Sequence, residues 1–128
     1  MRIAHVTAVV VLMACGEASG LPSSALFEVD VAGETFRVRV ETTEQIAQLE
    51  ARRAAGAPGV IMGSLKAGDG GFNQPWSWHL DPATVETPDM AIELCDGRPT
   101  HVEQDLEQWL NVVKSFCPWG ATVVRRLE

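Results

Sequence analysis

With 128 residues, 46% of them hydrophobic, the chain has material for one buried core and no room for a second domain of comparable size. A formal net charge of −7 argues against a nucleic-acid backbone or an anionic membrane surface as partner, because both select for Lys and Arg.

One positive charge at Arg2 precedes an apolar run from Ile3 to Met13, too short for a spanning helix and suited to a signal h-region. Leu12-Met13-Ala14-Cys15 resembles the lipobox at which bacterial lipoproteins are cleaved, with Met13 an unusual residue at its position. That resemblance implies lipidation of Cys15 and a signal peptide over residues 1–14. Gly16 after the cysteine favours the outer membrane or cell surface within that class. The alternative is an ordinary secretory signal with a soluble product. Loss of residues 1–14 removes only Arg2 and leaves nine basic against 17 acidic side chains, a net charge of −8. Residues 15–25 are small, polar and broken by Pro22, and read as a flexible tether to a single domain over residues 26–128.

Leu26 to Val40 reads as a β-hairpin. With Gly33-Glu34 as a type II′ turn, Val31 would face Phe36, Val29 would face Val38, and Asp30 and Glu28 would face Arg37 and Arg39. Thr42 to Ala55 reads as a helix, with a Thr42/Gln45 capping box, Ile46 and Leu49 inward, and Gly56 and Pro58 as stops. Arg52 and Arg53 suit its C-terminal dipole. Gly59 to Lys66 is apolar on both faces, as a central strand is, and Gly63 within it marks a bulge or a close backbone approach. The Gly-rich loop after it, with Asp69, Gly71 and Asn73, lacks the further acids and the glycine placement of a calcium loop.

Asn73 to Pro82 is the most informative stretch. Its prolines bracket an extended run in which Trp76, Trp78 and Leu80 fall on one face and Ser77, His79 and Asp81 on the other. The indoles suit a core plate better than a sugar- or peptide-stacking surface. Asp89 to Cys95 then reads as a strand with Met90, Ile92 and Leu94 inward, and parity sends Asp96 inward as well. Thr100 to Lys114 reads as an amphipathic helix with a Thr100/Glu103 capping box and a face of Val102, Leu106, Trp109, Leu110 and Val113. Ala121 to Leu127 alternates as a last strand. The fold expected is α+β: a mainly antiparallel sheet of about five to six strands, two amphipathic helices and one disulfide.

The disulfide follows from compartment. With Cys15 lipidated, Cys95 and Cys117 remain, and an isolated pair in an exported protein is most simply bonded. A reactive Cys95 thiolate beside His79 is the chemical alternative.

Asn73 to Pro82, then Glu93-Leu-Cys95-Asp96, then Cys117-Pro118-Trp119 resemble the spaced signature of the N-terminal domain of the amoebal calmodulin-binding protein family, here in a bacterial lipoprotein-like form. The resemblance spans Leu26 to Glu128 and departs after Trp119, where that family has serines and this chain has Gly120-Ala121-Thr122. It does not carry calmodulin over as a partner. Calmodulin grips basic amphipathic helices, whereas the second helix here is acidic.

Three functional readings follow. The first is a non-catalytic binding or structural module at the cell envelope, held by its lipid alone, whose partner is an unknown protein or small ligand and which needs no cofactor. The second is a metal- or small-ligand site of His79, Asp81 and Asp96, with His101 as a further candidate, against which stands a structural His79 bonded to Asp96. The third is a hydrolase with His79 as general base, Asp96 orienting it and Ser77 nearby.

Overall fold

The computed structural model describes residues 24–128; the leader, the lipidation residue Cys15 and all of the tether before Ser24 lie outside the described residues. Strands β1 (Ala25–Val31) and β2 (Glu34–Val40) form the expected hairpin, and Ala25, placed at the end of the tether, is its first strand residue and fully buried. The turn is Ala32-Gly33, not Gly33-Glu34. Both residues stand at positive φ, 54° and 87°, as a type I′ turn requires, and Asp30 Oδ1 accepts the Gly33 N–H at 3.2 Å. The register therefore pairs Val29 with Phe36, Phe27 with Val38 and Ala25 with Val40, two residues away from the expected pairs. Because side chains alternate with period two, this shift keeps every residue on its expected face. The charges re-partner. Glu28 still lies opposite Arg37 but takes its ion pair with Arg125, and Arg39 reaches Glu128 at 2.9 Å.

Helix α1 (Thr43–Ala55) begins where the capping box puts it. Thr42 Oγ1 accepts the Gln45 N–H at 3.1 Å, and Gln45 Oε1 accepts the Thr42 N–H at 3.0 Å. Gly56 closes the helix at φ 63°, where only a residue without Cβ sits at no cost. The helix buries Leu49 and packs on the last strand, β6 (Ala121–Arg126), with Arg126 reaching Glu50 at 3.6 Å. Arg53 stays local, on Glu50, but Arg52 does more than suit a dipole. Its guanidinium donates to Val60 O at 3.0 Å, Thr87 O at 3.2 Å and Pro88 O at 3.3 Å, tying two loops to the helix end.

The strands fall into two antiparallel sheets of three, ordered β2-β1-β6 and β4-β3-β5. The expected strand from Gly59 is broken: Gly59 bridges Ala121, Met62 bridges Glu86, and only Gly63–Ala67 forms a regular strand, β3. Gly63 is the close approach foreseen for it, since a Cβ there would lie 3.1 Å from Leu80 Cβ. Strands β4 (Trp78–Leu80) and β5 (Ser115–Phe116) flank it. One core joins the sheets. Trp78 sits 5.5 Å from Phe36 of the first sheet and 5.3 Å, edge-on, from Phe116 of the second, ring centre to ring centre.

The second helix is not continuous. It runs as α2 (Pro99–Gln104), breaks at Asp105 (φ −132°, ψ 50°), and resumes as α3 (Leu106–Gln108) and a π turn (Trp109–Val113). Its apolar face still turns inward, with Val102 fully buried and Trp109 edge-on to Phe116 at 5.9 Å. The expected capping box is absent for a physical reason: both of its members hold longer-range, charge-assisted bonds. Thr100 gives its N–H and hydroxyl to Glu34, at 2.8 and 3.0 Å, while Glu103 binds Ser77. Pro99 instead opens the helix, and His101 Nδ1 accepts the Arg98 N–H at 3.1 Å.

The Glu34 contacts predict an acid sensitivity. Desolvation alone raises its carboxyl, but the Thr100 N–H and hydroxyl, with the charges of Arg98 and His101, outweigh it and hold the pKa below the ordinary glutamate value. A pKa depressed by folding contributes stability that is present above the unfolded value and lost as pH falls through the folded one. Glu34→Ala should therefore be less stable than the parent near neutrality, and the gap should close on acidification. Denaturant melts at stepped pH read it out, and a gap independent of pH would refute the linkage.

Candidate functional site

The tryptophan stretch is built from the loop before it. Asp69 O accepts the N–H groups of Phe72 (3.2 Å) and Asn73 (2.9 Å), and Asn73 O accepts that of Trp76 (3.0 Å), so the chain turns rather than extends until Trp78. Asn73 is fully buried and fully bonded: Oδ1 accepts the Arg37 N–H at 2.8 Å and Nδ2 donates to Trp78 O at 2.7 Å. The tryptophans divide the work. Trp78 and Leu80 are fully buried, whereas Trp76 is half-buried and donates Nε1–H to Thr35 O at 2.9 Å. Both indoles therefore serve packing, and the strand face they were expected to share shrinks to Trp78 and Leu80.

The three candidate site residues are held by separate local structures. The His79 Nδ1 lies 2.7 Å from Gly68 O, so that nitrogen carries the proton and Nε2 is left as the basic one. Asp81 Oδ1 accepts the Ala83 N–H at 3.2 Å and caps a short turn at Pro82–Thr84. Asp96 is exposed rather than inward, and its Oδ1 accepts the N–H groups of Gly97 and Trp119, each at 2.9 Å. The expected His79–Asp96 bond is thus replaced by backbone partners on both sides. Ser77 gives its N–H and hydroxyl to the two oxygens of Glu103, at 2.9 and 2.7 Å, which directs its Oγ to a carboxylate. Cys95 is bonded to Cys117, not free beside His79. Among the described residues no group of three or more His, Cys, Asp or Glu side chains is placed to hold a metal ion.

The acid that does sit near His79 is Asp69, which sequence reading met only as part of a failed calcium-loop pattern. The Gly71 N–H, first, then the Gln74 side chain and the charge of His79 hold its carboxyl below the ordinary aspartate value, against a smaller opposing effect of burial. Gly70 lets this loop lie on the imidazole, because a Cβ there would fall 2.7 Å from His79 Cδ2.

The feature that sequence reading missed lies elsewhere. Asp89 to Cys95 is not a strand: it is irregular chain ending in a short 3-10 turn (Glu93–Cys95), and the supposed core face is turned to solvent. Met90 is 84% exposed, Ile92 68% and Leu94 65%, and Trp119 across the disulfide is 39% exposed. A signal was present. Only Ile92 in this run is β-branched, and Pro88 and Gly97 bound it closely, which suits a loop better than a ladder. The segment is nevertheless pinned at both ends. Arg52 holds the carbonyls of Thr87 and Pro88, and the Cys95–Cys117 disulfide, with Cα atoms 5.0 Å apart and Cys117 N–H bonded to Cys95 O at 2.7 Å, holds the other end.

Two concavities flank this architecture. One of about 320 Å³ is lined by Gly59, Val60, Asp89, Met90, Ala91 and Trp119. The other, about 500 Å³, opens between the first turn of α1 and the β3–β5 pair, with Gln45, Gln48, Ser64, Glu86 and Ser115 in its walls. Gln45 Nε2 in that second cleft is already committed to Pro82 O and Val85 O, both at 2.9 Å.

A search of curated proteins and a search of solved structures each return no significant match. A family model of the calmodulin-binding-protein N-terminal domain, in contrast, matches residues 23–128, covering the Trp segment, the disulfide pair and the last strand together. The spaced motifs that carried the resemblance thus lie inside one continuous match, and the chain belongs to the family of that N-terminal domain.

Proposed function

We propose that this chain is a small exported lipoprotein of bacterial type, anchored through Cys15, whose one domain is a non-catalytic binding module displayed at the cell envelope. One observation carries the binding reading. The most exposed large apolar side chains of the described domain include a run on one segment, Met90, Ile92 and Leu94, which is fastened at both ends by Arg52 and a disulfide. A domain that holds apolar groups in water on a stapled support is shaped for contact. The groups suited to nucleophilic chemistry are meanwhile drawn to other partners, Ser77 to Glu103 and Cys95 to Cys117. The Ile3–Met13 run and the Leu12–Cys15 tetrapeptide support the envelope assignment.

Two arms test this. Cells fed alkynyl palmitate should label the parent chain and not Cys15→Ser. A photo-cross-linking residue at Ile92 should give one discrete adduct in intact cells, and the same residue at Gln108 none. Label on Cys15→Ser removes the anchor. No adduct from either position, together with turnover of a substrate by the purified chain, removes the binding module.

A further inference from the structure

We propose that the groove between Trp119 and Met90 is the docking site for a protein segment that presents one large apolar anchor flanked by Lys or Arg. The inference rests on the binding reading above and adds where the contact lies and what chemistry it takes. The apolar part comes from the walls: Val60, Met90, Ala91 and Trp119 enclose about 320 Å³, at the small end of ligand pockets and suited to a side chain rather than a cofactor. Ile92 and Leu94 extend the apolar surface beyond it. Methionine adapts to varied shapes, and a half-exposed tryptophan supplies a rigid, amphipathic rim.

Charge selects the flanks of the partner. Asp89 lines the groove and Glu93 stands between Ile92 and Leu94; neither makes an ion pair with another described residue. The arginines closest in the chain are engaged elsewhere, Arg52 on three backbone carbonyls and Arg98 on Glu34 at 3.9 Å. The rim is therefore acidic and uncompensated, and it attracts cationic groups. The same acidity disfavours an anionic bilayer as the occupant.

Placement agrees. The chain leads toward Cys15 from Ala25, at the end of β1 where Leu26 N–H meets Glu128 O. The groove adjoins the other end, where Val31 pairs with Ala121 and Ala121 bridges Gly59. The seven residues of β1 separate the two ends by about 20 Å. An anchor at Cys15 thus tethers the domain by the end opposite the groove. Both ends of the Asp89–Leu94 segment are already fixed, so docking orders little chain, which favours affinity.

The test uses the full chain in phosphatidylcholine nanodiscs and a fluorescent peptide with a central Leu-Phe-Leu between pairs of lysines. A peptide with glutamates in place of the lysines is the control. The lysine peptide should bind and the glutamate peptide should not. Ile92→Ser with Leu94→Ser should weaken binding about tenfold or more. Asp89→Asn with Glu93→Gln should weaken it severalfold and flatten its salt dependence. These side chains are exposed, so unchanged thermal melts will certify the fold. Equal binding of both peptides, or affinity indifferent to the substitutions, overturns the proposal. So does self-association lost in Ile92→Ser, which makes the occupant a second copy, or recruitment of the Cys15→Ser chain by phosphatidylglycerol vesicles through this face. Failure of the peptide arm leaves the palmitate and cross-linking results standing, and failure of those leaves the peptide result standing.

Discussion

Trp78→Ala should destabilise the domain by about 3–5 kcal/mol, the range for deleting a large buried aromatic. Trp78 is fully buried between Phe36 and Phe116, so its removal opens a void that both sheets line. Trp78→Phe should cost far less than this, for a reason specific to the site. The indole Nε1–H is buried with no hydrogen-bond partner, and an unpaired buried donor carries a penalty of about 1–3 kcal/mol that phenylalanine removes. The lost volume and the relieved donor therefore oppose each other in Trp78→Phe and act alone in neither direction. Chemical denaturation of the two variants beside the parent decides it. A phenylalanine variant as unstable as the alanine one would mean that the indole N–H is satisfied after all.

The second large effect is expected from the disulfide. Replacing Cys95 and Cys117 together by serine frees a loop with a sequence separation of 22 residues, and the chain-entropy estimate for that length is about 3 kcal/mol. For a domain of this size that amounts to a drop in melting temperature of roughly 10 °C or more. The loss should be accompanied by loosening of one particular segment. Hydrogen exchange should quicken at the Cys117 N–H, which bonds to Cys95 O, and leave the β1–β2 ladder protected relative to it. A double-serine variant with parental stability would show that Arg52 and the backbone bond suffice to fasten the segment.

The elements read best from sequence were those whose signals are local. The α1 caps are a matter of four residues and a glycine, and both ends fell where Thr42, Gln45 and Gly56 put them. Hairpin parity was equally legible, because apolar alternation determines which side each residue faces. It cannot distinguish registers that differ by two residues, since both bury the same set, and the choice fell to the turn, where Asp30 and Gly33 favour the Ala32-Gly33 loop. Errors arose where a residue's partner lies far along the chain. Thr100 and Glu103 have the spacing of a capping box, but Glu34 and Ser77 reach them across 66 and 26 residues and outcompete the local bond. Met90, Ile92 and Leu94 alternate as a core strand does. Nothing in their spacing reports that no ladder is available to receive them. For the candidate site, His79 was a sound choice of residue with the wrong companion, since Asp69 reaches it through a glycine loop whose fold depends on backbone bonds.

The outer rim of β2 is closed by two side chains of the tryptophan loop. Asn73 takes the Arg37 N–H and Trp76 takes the Thr35 carbonyl, so groups that would otherwise invite a neighbouring strand are spoken for. Crowded copies of the domain accordingly meet as separate bodies and do not zip into a continuous ribbon. A variant stripped of both side chains would offer a template for fibrous growth, and this guard is what lets a bare oily surface coexist with solubility in one small fold.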